Sequence, residues 1–139
     1  MPRIRTIKPE FWTDEKVVEL SSWARLLYIA LWNFSDDNGV VENKPKQIKM
    51  RVFPADDLKI EPLIDELVTH HLVNAYEVDG DKFLCCKNLR KHQIIDKPRK
   101  SNLPLPHGID INRNQLKSTE ISLGREGKGR EEEGKRKRK

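Results

Sequence analysis

Cysteine is scarce in this chain: Cys85 and Cys86 are the only two among 139 residues. They are adjacent in a stretch that reads as a strand, where successive side chains point to opposite faces, so no disulfide framework is available. Long apolar runs are missing as well. None approaches the roughly 18 residues that span a bilayer, and the opening Met-Pro-Arg-Ile-Arg lacks the apolar core of a signal peptide. These absences exclude a disulfide-stapled scaffold and a membrane-spanning helical protein, and the expectation is a reduced, cytoplasmic protein with no membrane partner.

Catalytic signatures are equally absent. There is no nucleophile motif and no phosphate-cradling glycine loop, and Asp56-Asp57 sit where the approach to a helix would place acidic residues anyway. His70, His71, Cys85 and Cys86 are zinc-ligand types, but adjacent pairs on a helix and a strand do not aim four ligands at one point. Asp36-Asp37-Asn38-Gly39 lacks the alternate-position pattern and closing glutamate of a calcium loop and reads as a turn. No enzyme, metal or cofactor is expected.

What the chain does have is charge, unevenly placed. Lys and Arg number 27 against 22 Asp and Glu, yet residues 1–100 carry 17 against 16 and residues 101–139 carry 10 against 6. The excess sits in the tail. A folded region so close to neutrality must meet a polyanion through a local patch rather than through a global field.

Periodicity organises the first hundred residues. Pro9-Glu10-Phe11-Trp12 opens a short helical turn, and Thr13 or Asp14 caps a second, through Leu20. Phe11, Trp12, Val17 and Val18 call for burial of this arm against the domain. Ser21 or Ser22 caps the strongest helix, about 23–34, which is apolar on nearly every face and therefore central. After the Asp-Asp-Asn-Gly turn, Val40-Val41 reads as a very short strand. Pro45 suits a helix start and Pro54 a stop, giving a basic helix over 46–53 with Ile48 and Val52 on one face. A third helix over about 61–71 carries Leu63, Ile64, Leu67 and Val68 inward and Glu61, Asp65 and Glu66 outward. Strands 73–78 and 82–86 flank Asp79-Gly80-Asp81, a strong hairpin signal. Beyond it, residues 87–93 are basic and polar, and Lys97-Pro98-Arg99-Lys100 looks extended. From about Asn112 onward apolar residues nearly vanish, so burial cannot offset the entropy of ordering.

This order predicts an α+β fold: a winged helix-turn-helix with a three-helix core and a small β-hairpin wing, short N-terminal helices, and a disordered charged C-terminal tail. The domain is placed at 1–105 and the flexible tail at 106–139.

Arg3-Ile4-Arg5-Thr6-Ile7-Lys8-Pro9-Glu10-Phe11-Trp12-Thr13-Asp14, followed by Trp23-Ala24-Arg25-Leu26-Leu27 and Leu31-Trp32, resembles the start of a family of phage and prophage proteins. These are the winged-helix N-terminal modules labelled replication-initiation or helix-turn-helix DNA-binding proteins. The resemblance continues through Pro45-Lys46-Gln47-Ile48-Lys49, Phe53-Pro54-Ala55-Asp56-Asp57 and Lys91-His92-Gln93, and covers about residues 1–105. It implies a role in phage DNA replication, at origin recognition or in recruiting a replicative helicase or helicase loader. Two departures matter: His71 stands where relatives place a glycine as a left-handed cap, a conformation histidine tolerates less well, and longer relatives carry a second C-terminal domain where this sequence has the charged tail.

In such a module the third helix normally enters the major groove, but Glu61, Asp65 and Glu66 would repel phosphates there. The expected backbone contacts therefore move to Lys44, Lys46, Lys49 and Arg51 around the basic helix. Past the wing they continue through Lys87, Arg90, Lys91, His92, Lys97, Arg99 and Lys100. Arg3 and Arg5 are candidates for a minor-groove arm. Double-stranded DNA is the expected partner. The alternatives are an adaptor docking a replication protein through the acidic third helix, or a winged-helix transcriptional regulator. Trp12, Trp23, Trp32 and Tyr28 have the spacing of core residues more than of base-stacking platforms.

Overall fold

The structure, a computed structural model, describes residues 2–106. The chain divides after Pro104 into two units. The tail expected from 106 onward lies, apart from Pro106, outside the described residues.

Residues Pro9–Thr13 form a 3-10 turn, followed by α1 (Glu15–Val18), α2 (Ser22–Phe34), β1 (Val40–Glu42), α3 (Pro45–Val52), α4 (Glu61–Thr69), β2 (Val73–Val78), β3 (Asp81–Cys86) and α5 (Leu89–His92). The fold is α+β, with one three-stranded antiparallel sheet in the order β1-β3-β2.

Local chemistry sets the helix starts. Asp14 caps α1 by accepting from the Lys16 and Val17 amides, and the Ser21 hydroxyl accepts from Ala24 N at 3.2 Å to cap α2. Pro45 and Pro62 each occupy the first turn of a helix, where an amide donor is not missed. At the end of α4, His71 adopts φ 60°. Its amide donates to Val68 O and the Leu72 amide to Leu67 O, both at 3.0 Å, while Leu67 and Leu72 are buried. This is a Schellman cap with histidine in the left-handed position expected from the sequence.

The main core gathers Leu27 and Leu31 of α2, Ile48 of α3, Leu63, Ile64 and Leu67 of α4, and the inner sheet face of Val41, Val73, Leu84 and Cys86. As the middle strand, β3 is buried over Phe83–Cys86, so both of its faces are covered. On the outer face Tyr76 stacks on Phe83, 5.8 Å between centroids, and the Tyr76 hydroxyl donates to Pro104 O at 2.6 Å. The stretch after α5 therefore returns across the sheet.

Three expectations need correction. Central α2 is not buried all round: Trp23 is 46% and Leu26 52% exposed. Of the adjacent pairs in the arm, only Phe11 and Val17 are buried, with Trp12 57% and Val18 46% exposed, because neighbouring residues on a single turn cannot both face the core. The hairpin turn is two residues, Asp79 (φ 53°) and Gly80 (φ 85°), since Asp81 pairs with Val78 inside the sheet. The polar stretch 87–93 holds the short helix α5, preceded by Asn88 at φ 60°.

Gly39 is the tightest point of the fold. It sits at φ 87°, its carbonyl accepts from Cys86 N at 2.7 Å, and a Cβ there would lie 2.6 Å from Cys86 O. Gly39→Ala is expected to cost about 2–3 kcal/mol, from the left-handed strain and the shift forced on β3, read as a lower urea midpoint. His71→Gly should act oppositely, raising stability by about 0.5–1 kcal/mol in the same measurement, since the strain relieved exceeds the entropy added to the unfolded chain.

Candidate nucleic-acid interface

The extended arm Arg3-Ile4-Arg5 alternates, and both arginines turn inward while Ile4 is 94% exposed. They converge on Asp37. The Asp37 Oδ2 atom accepts from Arg3 Nη1 at 2.8 Å and from the Arg99 amide at 2.6 Å, and Oδ1 lies 3.1 Å from Arg5 Nη2. The side chains of Arg5 and Asp37 are each only 3% exposed. Arg5 also donates to the carbonyls of Trp32, Ser35 and Asp36. Arg90 reaches the same turn from α5, its Nε donating to Asp37 O and its Nη2 to Asn38 Oδ1, both at 3.2 Å.

Arg3, Arg5 and Arg90 thus hold the fold together. Arg3 and Arg5, expected as candidates for a minor-groove arm, are turned to Asp37 in this structure, since a buried carboxylate must be paired and these two cations pair it. Sequence reasoning missed Asp37, which reads as one more turn residue. The available signal was the Arg-x-Arg spacing, which in an extended arm aims two cations at one side.

Around that buried pair lies a groove of about 540 Å³. Its wall brings Arg51 of α3 together with Arg3, Arg99 and Lys100, two stretches about 50 residues apart in the chain. Arg51 lies 5.5 Å from the centroid of the Phe34 ring, which orients its guanidinium. Arg51, Arg99 and Lys100 are exposed, as are Lys46, Lys91 and Lys97. Lys44 is 3.5 Å from Glu42, and Lys49 donates to Phe53 O at 3.3 Å, capping its own helix.

The remaining candidates lie elsewhere. Lys87 and His92 line a separate cavity with Phe11, Tyr28 and Trp32. Burial lowers the His92 pKa, helped by Lys8 and Lys91, so its imidazole is neutral at pH 7. No family, curated protein or solved structure matches the chain.

The acidic face of α4 is smaller than its sequence implies. Glu61 and Asp65 are exposed, but Glu66 accepts from Ser21 N at 2.9 Å and from Ser21 Oγ at 2.8 Å. It clamps the start of α2 instead of facing a partner. His70 Nδ1 is 2.9 Å from Glu66 O.

The cysteines occupy opposite faces of β3. Burial pushes the Cys85 thiol up to about 12, with Asp36 adding to the shift, and raises Cys86 further. Both remain protonated at neutral pH, without thiolate reactivity. Among the described residues no helix is long and apolar enough to cross a membrane, and no group of three or more His, Cys, Asp or Glu is placed to hold a metal ion.

Removing the Asp37 carboxylate leaves Arg5 buried with only neutral acceptors. Asp37→Ala is expected to destabilise the domain by about 3 kcal/mol, the lower end for breaking a buried pair because the three carbonyls remain. Asp37→Asn should lose less than half of that in the same urea titration.

Proposed function

We propose that the fold is a winged helix-turn-helix module that binds duplex DNA by backbone contact, in the replication initiation of a phage or prophage. The groove joining Arg51 to Arg99 and Lys100 carries this reading. It brings two separated basic segments to one groove beside α3, and clustered cations are what contact with neighbouring phosphates requires. The element order α2-β1-α3-α4-β2-β3 with sheet order β1-β3-β2 supports the module, with β2 and β3 as the wing. The replication setting rests on the resemblance of the opening block, and a helicase or its loader is the protein partner it implies.

The contact set becomes Lys46, Arg51, Lys97, Arg99 and Lys100, with Lys44, Lys49 and Lys91 at its margins. Arg3, Arg5 and Arg90 support it from behind. Such contacts give affinity with little sequence information. The α4 face, with exposed Glu61 and Asp65, stays off the phosphates.

A second reading, an adaptor that docks a basic replication protein, is favoured by that same exposed acidic pair. Two variants separate the readings. Reversing Lys46, Arg51, Arg99 and Lys100 to glutamate should weaken duplex binding at least tenfold. It should also flatten the log–log salt dependence by about 0.9 for each lost phosphate contact. Reversing Glu61 and Asp65 to lysine should leave duplex affinity equal or higher. Unchanged duplex affinity in the first variant, with its melting temperature preserved, removes the proposed track.

A further inference from the structure

A second cavity, of about 490 Å³, shares no lining residue with the groove. Its volume falls within the roughly 300–1,000 Å³ of small-molecule sites. Phe11, Tyr28 and Trp32 wall it, packed on one another with centroid separations of 5.4 Å for Phe11–Trp32 and 5.1 Å for Tyr28–Trp32. The mouth is framed by His71 and Leu72 after α4, by Lys87 and Asn88 after β3, and by His92.

Two features set this cavity apart from a packing gap. Among the described residues three non-glycine residues have positive φ, and two of them, His71 and Asn88, line this cavity. Each places a polar ring or amide at the cavity from a backbone position that glycine would also fill.

The rim charges provide the second feature. Lys8, Lys16 and Lys87 are balanced by Glu10, Asp14 and Glu15. The rim therefore selects for neither sign. Selectivity falls to the aromatic wall and to polar side chains along the lining: the Asn88 amide, the Tyr28 hydroxyl and the ring nitrogens of His71 and His92. A flat ring with donors and acceptors around its edge matches that set, and an aromatic anion does not.

We infer that this cavity binds one nucleobase, with the ring against Phe11, Tyr28 and Trp32 and its edge read by His71, Asn88 and His92. The base comes either from a free nucleoside or from the unpaired end of a DNA strand. The inference goes beyond the duplex-binding reading and does not require it.

The test titrates wild-type protein with adenosine, thymidine and benzoate by calorimetry, following the Trp32 indole resonance. A blunt duplex is compared with the same duplex carrying a one-nucleotide overhang. Saturable nucleoside binding that moves the Trp32 signal is expected, with benzoate at least tenfold weaker. An overhang preference above threefold identifies a strand end as the source, and its absence a free nucleoside. His71→Gly and Asn88→Gly should each raise the melting temperature, yet weaken nucleoside binding at least fivefold. Blunt-duplex affinity should not change, which separates failure here from failure of the cationic track. No saturable binding of either nucleoside, benzoate binding as tight as adenosine, or nucleoside affinity unchanged in both glycine variants each overturns the inference.

Discussion

A single buried carboxylate, that of Asp37, organises the groove in which Arg51, Arg99 and Lys100 meet. Asp37 is held by Arg3 and Arg5 from the N-terminal arm and by the Arg99 amide from the returning segment after α5. A charge removed from water is tolerable only when its opposite charge and its hydrogen bonds come with it. Arginine suits the task because its fork supplies several donors at once, and Arg5 uses the surplus on three carbonyls at the end of α2. The pairing therefore fixes the path of two segments that have little apolar material of their own. Its geometric cost is visible at Ile4, which alternation turns out to solvent.

That economy changes what the basic residues mean. Seventeen cations against 16 anions in residues 1–100 look like a surface without a preferred partner. Once Arg3, Arg5 and Arg90 are tied to the Asp37 turn and Lys44 is set beside Glu42, the uncommitted cations form a local pattern. Among them, Arg51 of α3 meets Arg99 and Lys100 along one groove. An interaction with phosphates depends on such a local density, because exposed charges separated by more than about 8 Å are largely screened at physiological salt.

The legible parts of the fold were the ones set by near neighbours. The caps at Asp14 and Ser21, the proline start of α3, the Asp-Gly hairpin and the left-handed end at His71 each depend on four to six consecutive residues. What could not be read was set by distance along the chain. The Arg3–Asp37 pair spans 34 residues, and the bonds between Thr6 and the Gln93 side chain span 87. Gln93 grips both the amide and the carbonyl of Thr6, standing in for a strand partner, and nothing in a local window distinguishes it from a solvated glutamine. The same holds for Glu66, whose outward position on the helical wheel was read correctly as a direction but not as a clasp on Ser21.

The arm has a further consequence, because it contributes to both concave features. Arg3 belongs to the wall of the cationic groove, while Thr6, Lys8, Glu10 and Phe11 belong to the wall of the aromatic cavity. Between them the backbone is tied down at Asn33, where the Arg3 amide donates to the main-chain carbonyl at 2.8 Å and Arg3 O accepts from Asn33 Nδ2 at the same distance, and at Gln93. Loss of an exposed cation such as Lys100 acts on the groove alone. Loss of the Asp37 carboxylate leaves Arg3 and Arg5 without their shared anion and loosens the arm at the end that walls the groove. The residue with no exposed atom of consequence thus has the widest reach, and that follows from geometry: it is the point at which the arm, the α2–β1 turn and the returning segment meet.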